Sequence, residues 1–290
     1  MPHPVIITGA GGQLGWELQH TAPAPEHCLA LQRSALDIAD ADAVQTLLAQ
    51  ERPALLINAA AYTAVDLAES EPALAHRVNS EGPAVLAAAC RRHRVRLFHV
   101  STDFVFDGRA SVPYAPDATP APLGEYGRSK LAGEQAVLAT LPEALVVRTG
   151  WVYSLAGNNF VKTMLRLMAE RESLSVVVDQ VGTPTWARGL ARLLWQAAGQ
   201  DDVSGIYHWS DAGVCSWYDF AVAIAEEAVA LGLLPRLPRI HPIPGSEYPT
   251  PAERPAFSVL DKRSSWEDFA IEGIHWRVQL RQMLQELKES

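Results

Sequence analysis

The chain has little cysteine, no basic stretch and no long apolar run. Cys28, Cys90 and Cys215 are odd in number and far apart, which excludes a disulfide framework and gives no metal-ligand spacing. They read as small buried hydrophobes in a reducing compartment. No run approaches the roughly 18 consecutive apolar residues of a membrane helix, so no span is expected. Acidic residues outnumber basic ones, 33 to 24, for a formal net charge of −9. Neither a nucleic acid nor an anionic membrane is therefore an expected partner, although a local pocket for phosphates stays open. Met1-Pro2-His3-Pro4 leads into a strand pattern without a cationic segment and apolar run, so it does not read as a signal peptide, and a cytoplasmic location is expected.

What is present is an ordinary globular composition, 48% hydrophobic and 20% charged, over 290 residues. That length calls for one large domain or two joined ones. Up to residue 150, short apolar runs at 4–8, 28–31, 54–58, 95–101 and 144–149 alternate with helical patterns at 13–20, 40–50, 72–92 and 124–140. This alternation predicts an α/β fold, a Rossmann-type doubly wound parallel sheet with helices on both faces. Beyond Trp151 the rhythm changes. Helical patterns at 158–169, 186–198, 217–231 and 274–287 are interrupted by clusters such as Tyr248-Pro249-Thr250-Pro251. The expected division is a dinucleotide-binding domain over 1–150 and a smaller substrate domain over 151–290, with segments of the second returning to the first. The stretch 112–122, rich in proline and alanine, reads as a loop or lid.

The first chemical motif is Thr8-Gly9-Ala10-Gly11-Gly12-Gln13-Leu14-Gly15, between a strand and a helix. Glycines there let backbone approach a pyrophosphate at the positive end of the helix. Gly9, Gly12 and Gly15 are three apart, unlike G-x-G-x-x-G, while Gly11 falls where that fingerprint has its second glycine. An ordinary glycine turn is the plain alternative; the position after the first strand favours a dinucleotide. The second strand ends at Leu31-Gln32-Arg33 without the acid that bonds the ribose of NAD. Arg33 suits the 2′-phosphate of NADPH, with NADH still compatible. Asp37-Ile38 reads either as an adenine-side segment or, for Asp37, as a helix cap.

The decisive pattern is Tyr126-Gly127-Arg128-Ser129-Lys130. Residues four apart share a helix face, so phenol and ammonium can meet in one cleft, where the cation is expected to favour the phenolate. Val100-Ser101-Thr102-Asp103 closes the fourth strand and puts hydroxyls at its carboxyl end, where doubly wound sheets bind ligands. Hydroxyl, tyrosine, lysine and glycine loop together point to an oxidoreductase.

These motifs resemble the extended short-chain dehydrogenase/reductase family. The resemblance runs over almost the whole chain, through Gly12-Gln13-Leu14-Gly15-Trp16-Glu17-Leu18, Asn58-Ala59-Ala60-Ala61-Tyr62-Thr63-Ala64-Val65-Asp66 and Ser101-Thr102-Asp103-Phe104-Val105-Phe106-Asp107-Gly108. It continues through Trp151-Val152-Tyr153, Gly157-Asn158-Asn159-Phe160, Asp179-Gln180-Val181-Gly182-Thr183-Pro184-Thr185 and Pro249-Thr250-Pro251-Ala252-Glu253-Arg254-Pro255. It implies NADPH-dependent reduction of the C4 ketone of dTDP-4-dehydro-β-L-rhamnose, on the way to cell-surface polysaccharide. Rival readings are an epimerase or dehydratase of the same family, and a non-catalytic subunit like the regulatory partner of methionine adenosyltransferase.

The resemblance also implies roles. Tyr126 would donate the proton, Lys130 would hold the nicotinamide ribose, and Thr102 would bond the substrate near its reacting oxygen, beside Asp103. Gly12, Gln13, Leu14, Asp37, Ile38, Ala61, Tyr62 and Thr63 would line the cofactor. Trp151, Asn159, Lys162 and Arg254 would meet the dTDP-linked deoxysugar, with a core tryptophan as the plain alternative for Trp151. Phe104 stands where the family commonly has tyrosine. Some members carry a carboxylate-bound Mg²⁺ at a dimer contact; Glu17 is compatible, but Arg188 stands where another acid is expected. Monomer and homodimer both remain open.

Overall fold

The computed structural model describes residues 4–289; the leader reading at Met1 to His3 lies outside the described residues. Five strands come from the first half: β1 (Val5–Thr8), β2 (Cys28–Leu31), β3 (Leu55–Asn58), β4 (Arg96–Thr102) and β5 (Leu145–Thr149). A sixth, β6 (Gly205–His208), comes from the second half and pairs parallel to β5. The sheet order is β6-β5-β4-β3-β1-β2, all parallel, so the chain reverses its direction of growth between β1 and β3. Ligands of such sheets bind outside the carboxyl ends of the strands at that reversal.

The two faces follow from strand periodicity, since adjacent side chains point to opposite sides. Ile6, Leu56, Leu97 and Val146 pack against α2 (Ala41–Glu51), α3 (Gly82–His93) and α4 (Glu125–Thr140). Ile7, Ile57, Phe98 and Val147 pack against α1 (Gln13–His20) and α6 (Ala187–Ala198). Here α5 denotes Phe160–Glu170, between α4 and α6 in the chain. A separate core forms from second-half residues, where α5, α7 (Trp217–Ala230) and α8 (Trp276–Glu289) gather around Trp186, Phe220 and Trp276. Among the described residues no helix is long and apolar enough to cross a membrane.

The helix expected over 72–92 runs without a break from Pro72–His76 through a π-turn at Arg77–Glu81 into α3. Such wide turns often serve a site, and this one turns Asn79 inward, fully buried. The stretch 112–122, expected as a loop or lid, is a loop pinned at Tyr114, which is buried and whose N–H donates 2.9 Å to the Val259 carbonyl.

α4 lies unusually low on its neighbours. A Cβ at Gly127 would sit 2.2 Å from the Phe104 carbonyl oxygen, and one at Gly133 would sit 2.0 Å from that of Asn79. Only glycine permits that approach. The helix is fastened to β5 by Arg148, whose Nε and Nη2 donate 3.0 and 2.7 Å to the Glu134 carboxylate. Both side chains are 2% exposed, and the guanidinium also donates to the Pro116 carbonyl and lies over the Phe106 ring. Removing one partner leaves the other charge buried alone, which typically costs about 3–5 kcal/mol. Arg148→Met should therefore lower unfolding stability by about that amount in denaturant titration. A loss below about 1 kcal/mol would show that the pair does not anchor α4.

Candidate active site

The carboxyl ends of the strands open into a cleft of about 900 Å³, at the upper end of the range for small-molecule sites. Gly9, Gly12, Gln13 and Leu14 line it, as does Gly11. Gly15 does not. It is buried beneath the loop, where a Cβ would stand 2.2 Å from the Gly9 carbonyl oxygen. The expectation that it touches a cofactor is corrected: it lets α1 pack against its own loop.

Arg33, Asp37 and Ile38 line the far end of the cleft. Asp37 accepts the Ala39 N–H at 3.1 Å and pairs with Arg77 at 2.6 Å. These bonds hold its carboxyl below the ordinary range, the backbone one contributing most. Asp37 thus both caps the local turn and faces the cleft. Ala61, Tyr62 and Thr63 form the wall after β3. Asn79 positions this wall: it accepts the Tyr62 N–H at 2.8 Å, donates to the Tyr62 carbonyl at 3.0 Å, and donates to Ser129 of α4 at 3.1 Å. Sequence reasoning passed over Asn79. Its one signal was a polar residue on the inner face of an otherwise apolar helical pattern.

Thr102, Asp103, Tyr126 and Lys130 converge on the same wall. Thr102 caps the turn after β4, its Oγ1 accepting the Phe104 N–H at 3.2 Å. Lys130 is 2% exposed and donates 2.7 Å to the Val100 carbonyl. Burial pushes its ammonium down to about 8, against the pull of Glu134. The expected lowering of the Tyr126 phenol by this cation is not what the structure has. Burial pushes the phenol up to about 12, the Thr102 hydroxyl opposing and the Asp103 carboxyl adding. Desolvation is the largest effect on the phenol, and the Lys130 ammonium donates to a backbone carbonyl. The phenol therefore keeps its proton at neutral pH, the state a general acid requires. Phe104 packs edge-on against Tyr126, their rings 5.5 Å apart.

Trp151 also lines the cleft, and its ring is stacked on Trp217 at 3.5 Å and 4°. It is both a wall and part of the packing, and Trp217 is a partner that no sequence motif announced. Asn159, Lys162 and Arg254 are not brought to the wall. Asn159 caps α5 by accepting the Lys162 N–H at 3.1 Å, and donates 3.1 Å to Gln13. Lys162 donates to the carbonyls of Leu155 and Gly157 at 2.9 and 3.0 Å. Arg254 grips Asp66 with two bonds of 2.7 and 2.8 Å and lines a separate hollow of about 430 Å³.

The residues at Glu17 do not fit a Mg²⁺ ion. Its fully buried carboxylate already accepts Ser154 at 2.9 Å, Trp186 at 3.2 Å and Arg188 at 3.0 Å. Arg188 bridges on to Glu286 and lies 4.3 Å from the Trp186 ring centroid. Among the described residues no cluster of three or more His, Cys, Asp or Glu could hold a metal. The arginine supplies the positive charge.

Residues 3–289 match the family described as the RmlD substrate binding domain. The chain belongs to this family. It is 44% identical over 283 residues to dTDP-4-dehydrorhamnose reductase of Burkholderia thailandensis, covering 94% of this chain and 95% of that one. The Escherichia coli protein of the same name is 38% identical over 291 residues, covering 98% and 97%. Among solved structures, Bacillus anthracis dTDP-4-dehydrorhamnose reductase in complex with NADP superposes with a TM-score of 0.92 at 37% identity, covering 99% and 100%. UDP-glucose 4-epimerase of Thermus thermophilus with NAD, at 20% identity and a TM-score of 0.81, covers 99% of both chains and shares the fold.

Two glycines of one loop should separate by experiment. A Cβ at Gly12 meets only the Gly9 oxygen, at 3.3 Å, so Gly12→Val should fold yet weaken NADPH binding at least about tenfold in a fluorescence titration. Gly15→Ala should instead lower the melting temperature through overpacking of about 1–3 kcal/mol. Equal NADPH affinity in folded Gly12→Val would remove the loop from the phosphate site. For the Glu17 cluster, a chelator should leave Tm unmoved, whereas Arg188→Met should lower it; a Tm that rises with added Mg²⁺ would restore the metal.

Proposed function

We propose that this chain reduces the C4 ketone of dTDP-4-dehydro-β-L-rhamnose with NADPH, giving dTDP-L-rhamnose for cell-surface polysaccharide. The observation that carries the proposal is the convergence of Tyr126, Thr102 and Lys130 on the wall of a cleft that begins at the glycine loop. A nicotinamide dinucleotide, when bound, supplies the hydride. The backbone of Gly11 to Leu14, at the start of α1, would take its pyrophosphate; that these residues line the cleft supports this. Arg33 would meet a 2′-phosphate, Asp37 and Ile38 the adenosine, and Lys130 the nicotinamide ribose.

Tyr126 gives its phenolic proton to the C4 oxygen as that oxygen gains charge, with Thr102 bonding the same oxygen. Holding both reactants in one cleft and supplying a matched acid are the protein's contributions. Trp151, stiffened by Trp217, would stack on the sugar or thymidine part. Asn159, Lys162 and Arg254 would act by fixing the loops around the sugar nucleotide. We place residues 1–150 mainly around the cofactor and 151–290 mainly around the sugar. A cytoplasmic setting agrees with three free thiols. The rival readings lose ground: the likeness to an epimerase is one of fold, and a non-catalytic subunit needs no buried acid, hydroxyl and lysine together.

NADPH absorbance should fall only when a 4-keto sugar nucleotide is added, and dTDP-4-dehydrorhamnose should be the best of a panel. Tyr126→Phe keeps the ring and removes the acid, so kcat should fall by about 10²–10⁴ with little change in KM. A folded Tyr126→Phe protein with near wild-type kcat would show that another group donates the proton.

A further inference from the structure

The backbone of Trp151 has a φ of 51°, in the left-handed region that a bulky residue seldom occupies. Trp151 lies on the cleft wall just past the end of β5, whose last residue, Thr149, is paired with Thr102 of β4. Left to local preference, the chain would turn out of this conformation and carry the indole with it. Resting on the reductase reading above, we propose that Thr185, Gly182 and Trp217 fix the Trp151 ring before any ligand arrives, and so set how tightly the sugar nucleotide binds. All three stand behind the cleft wall and act through Trp151, so they are positioning residues.

Each of the three constrains a different part of the residue. Thr185, fully buried, takes the carbonyls on both sides of the Trp151 Cα. Its hydroxyl donates 2.6 Å to Gly150, and its N–H donates 3.1 Å to Trp151 itself. Those carbonyls belong to the two peptide planes that meet at the Cα, so both backbone dihedrals are held. Gly182 receives the edge of the ring: a Cβ there would stand 2.6 Å from Trp151 Cε2 and 2.7 Å from Nε1. Trp217 covers one face, the two rings 3.5 Å apart and within 4° of parallel. Trp217 is itself braced by Phe160, at 4.6 Å between centroids, and by its place at the start of α7. There Ser216 and Asp219 exchange bonds of 3.1 and 2.9 Å that close the helix end. Cys215 and Ser216 pair with Gly182 and Val181, so one piece of structure carries both the ring's stacking partner and its edge contact.

A costly backbone conformation persists only where its surroundings over-determine it, and such places cluster at functional sites. Two carbonyl bonds, a bare glycine and a stacked ring do so here. The consequence lies in binding. A wall ordered in advance takes nothing from the binding free energy for its own ordering. The indole exchanges neither hydride nor proton, so its help is equal in the ground state and the transition state. Such help shows in KM and leaves kcat alone. The glycine loop, at the end of β1, is a separate part of the cleft, so NADPH affinity stays independent of the ring.

The test combines kinetics with circular dichroism. Trp217→Ala should raise KM for dTDP-4-dehydrorhamnose by about tenfold, the upper worth of one aromatic stack. The kcat and the NADPH dissociation constant should stay within about twofold of wild type. Trp217→Phe, which keeps a flat ring, should restore most of the loss. Thr185→Val removes the bond to Gly150 at nearly constant shape and should raise KM in the same selective way, with Thr185→Ser restoring it. The Thr185 pair stands in if Trp217→Ala does not fold. Two stacked indoles couple, giving paired bands of opposite sign in the difference between wild type and Trp217→Phe. Those bands should be present without ligand and unchanged when dTDP-4-dehydrorhamnose is added. An unchanged KM in folded Trp217→Ala or Thr185→Val overturns the proposal. So does equal damage to KM, kcat and NADPH affinity, or a coupled signal that appears only with the sugar nucleotide. Failure of the wild type to reduce any keto sugar nucleotide overturns the reductase reading and the ligand assigned to the ring; the ligand-free signal still decides whether the ring is preset.

Discussion

Helix α4 rests on bare backbone carbonyls, and the site depends on that approach. Gly127 over Phe104 and Gly133 over Asn79 bring the helix to distances that a single methyl group would forbid. Arg148 and Glu134 then hold it there, out of water, with the ion pair's bonds well formed. Lying so low, the helix lets Lys130 reach the Val100 carbonyl and puts Tyr126 beside Thr102 at the end of β4. The same depth removes the phenol and the ammonium from water, raising one and lowering the other. Acid strength in this site is thus a consequence of packing more than of the nearest charge.

Below the cleft, buried polar groups tie the strand ends together. Thr8 of β1 donates 2.7 Å to Asn58 of β3, whose amide meets His99 of β4 at 3.0 Å. Asn58 also accepts the Ala60 N–H at 3.2 Å, which turns the chain out of the sheet toward the cleft wall. Unpaired groups at this depth would be costly, so the bonds fix the relative heights of three strands. They cross the place where the sheet order reverses, which is where the glycine loop and the α4 wall face each other.

The second half also fastens the first. Asn159 joins α5 to Gln13 of the glycine loop, Arg254 joins the 249–255 segment to Asp66, and Arg188 joins α6 to Glu17 and Glu286. Asn159 and Arg254, which read as ligand contacts in the sequence, fasten segments distant in sequence. An arginine in place of an acid at position 188 turns a cluster suggestive of a cation into a self-neutralised one.

Local order was legible in the sequence because it is periodic. Alternating apolar runs of strand and helix length determined the doubly wound sheet, the glycine turn after β1 determined the cleft's floor, and the four-residue spacing determined that Tyr126 and Lys130 share a face. What required tertiary structure was every property set by contacts between distant segments. The π-turn that buries Asn79, the Trp217 ring behind Trp151 and the burial of Gly15 leave no periodic trace. The Tyr126 phenol reverses the expectation drawn from its neighbour in sequence, because desolvation is summed over the whole surrounding fold, whereas spacing along a helix reports only which side chains can meet.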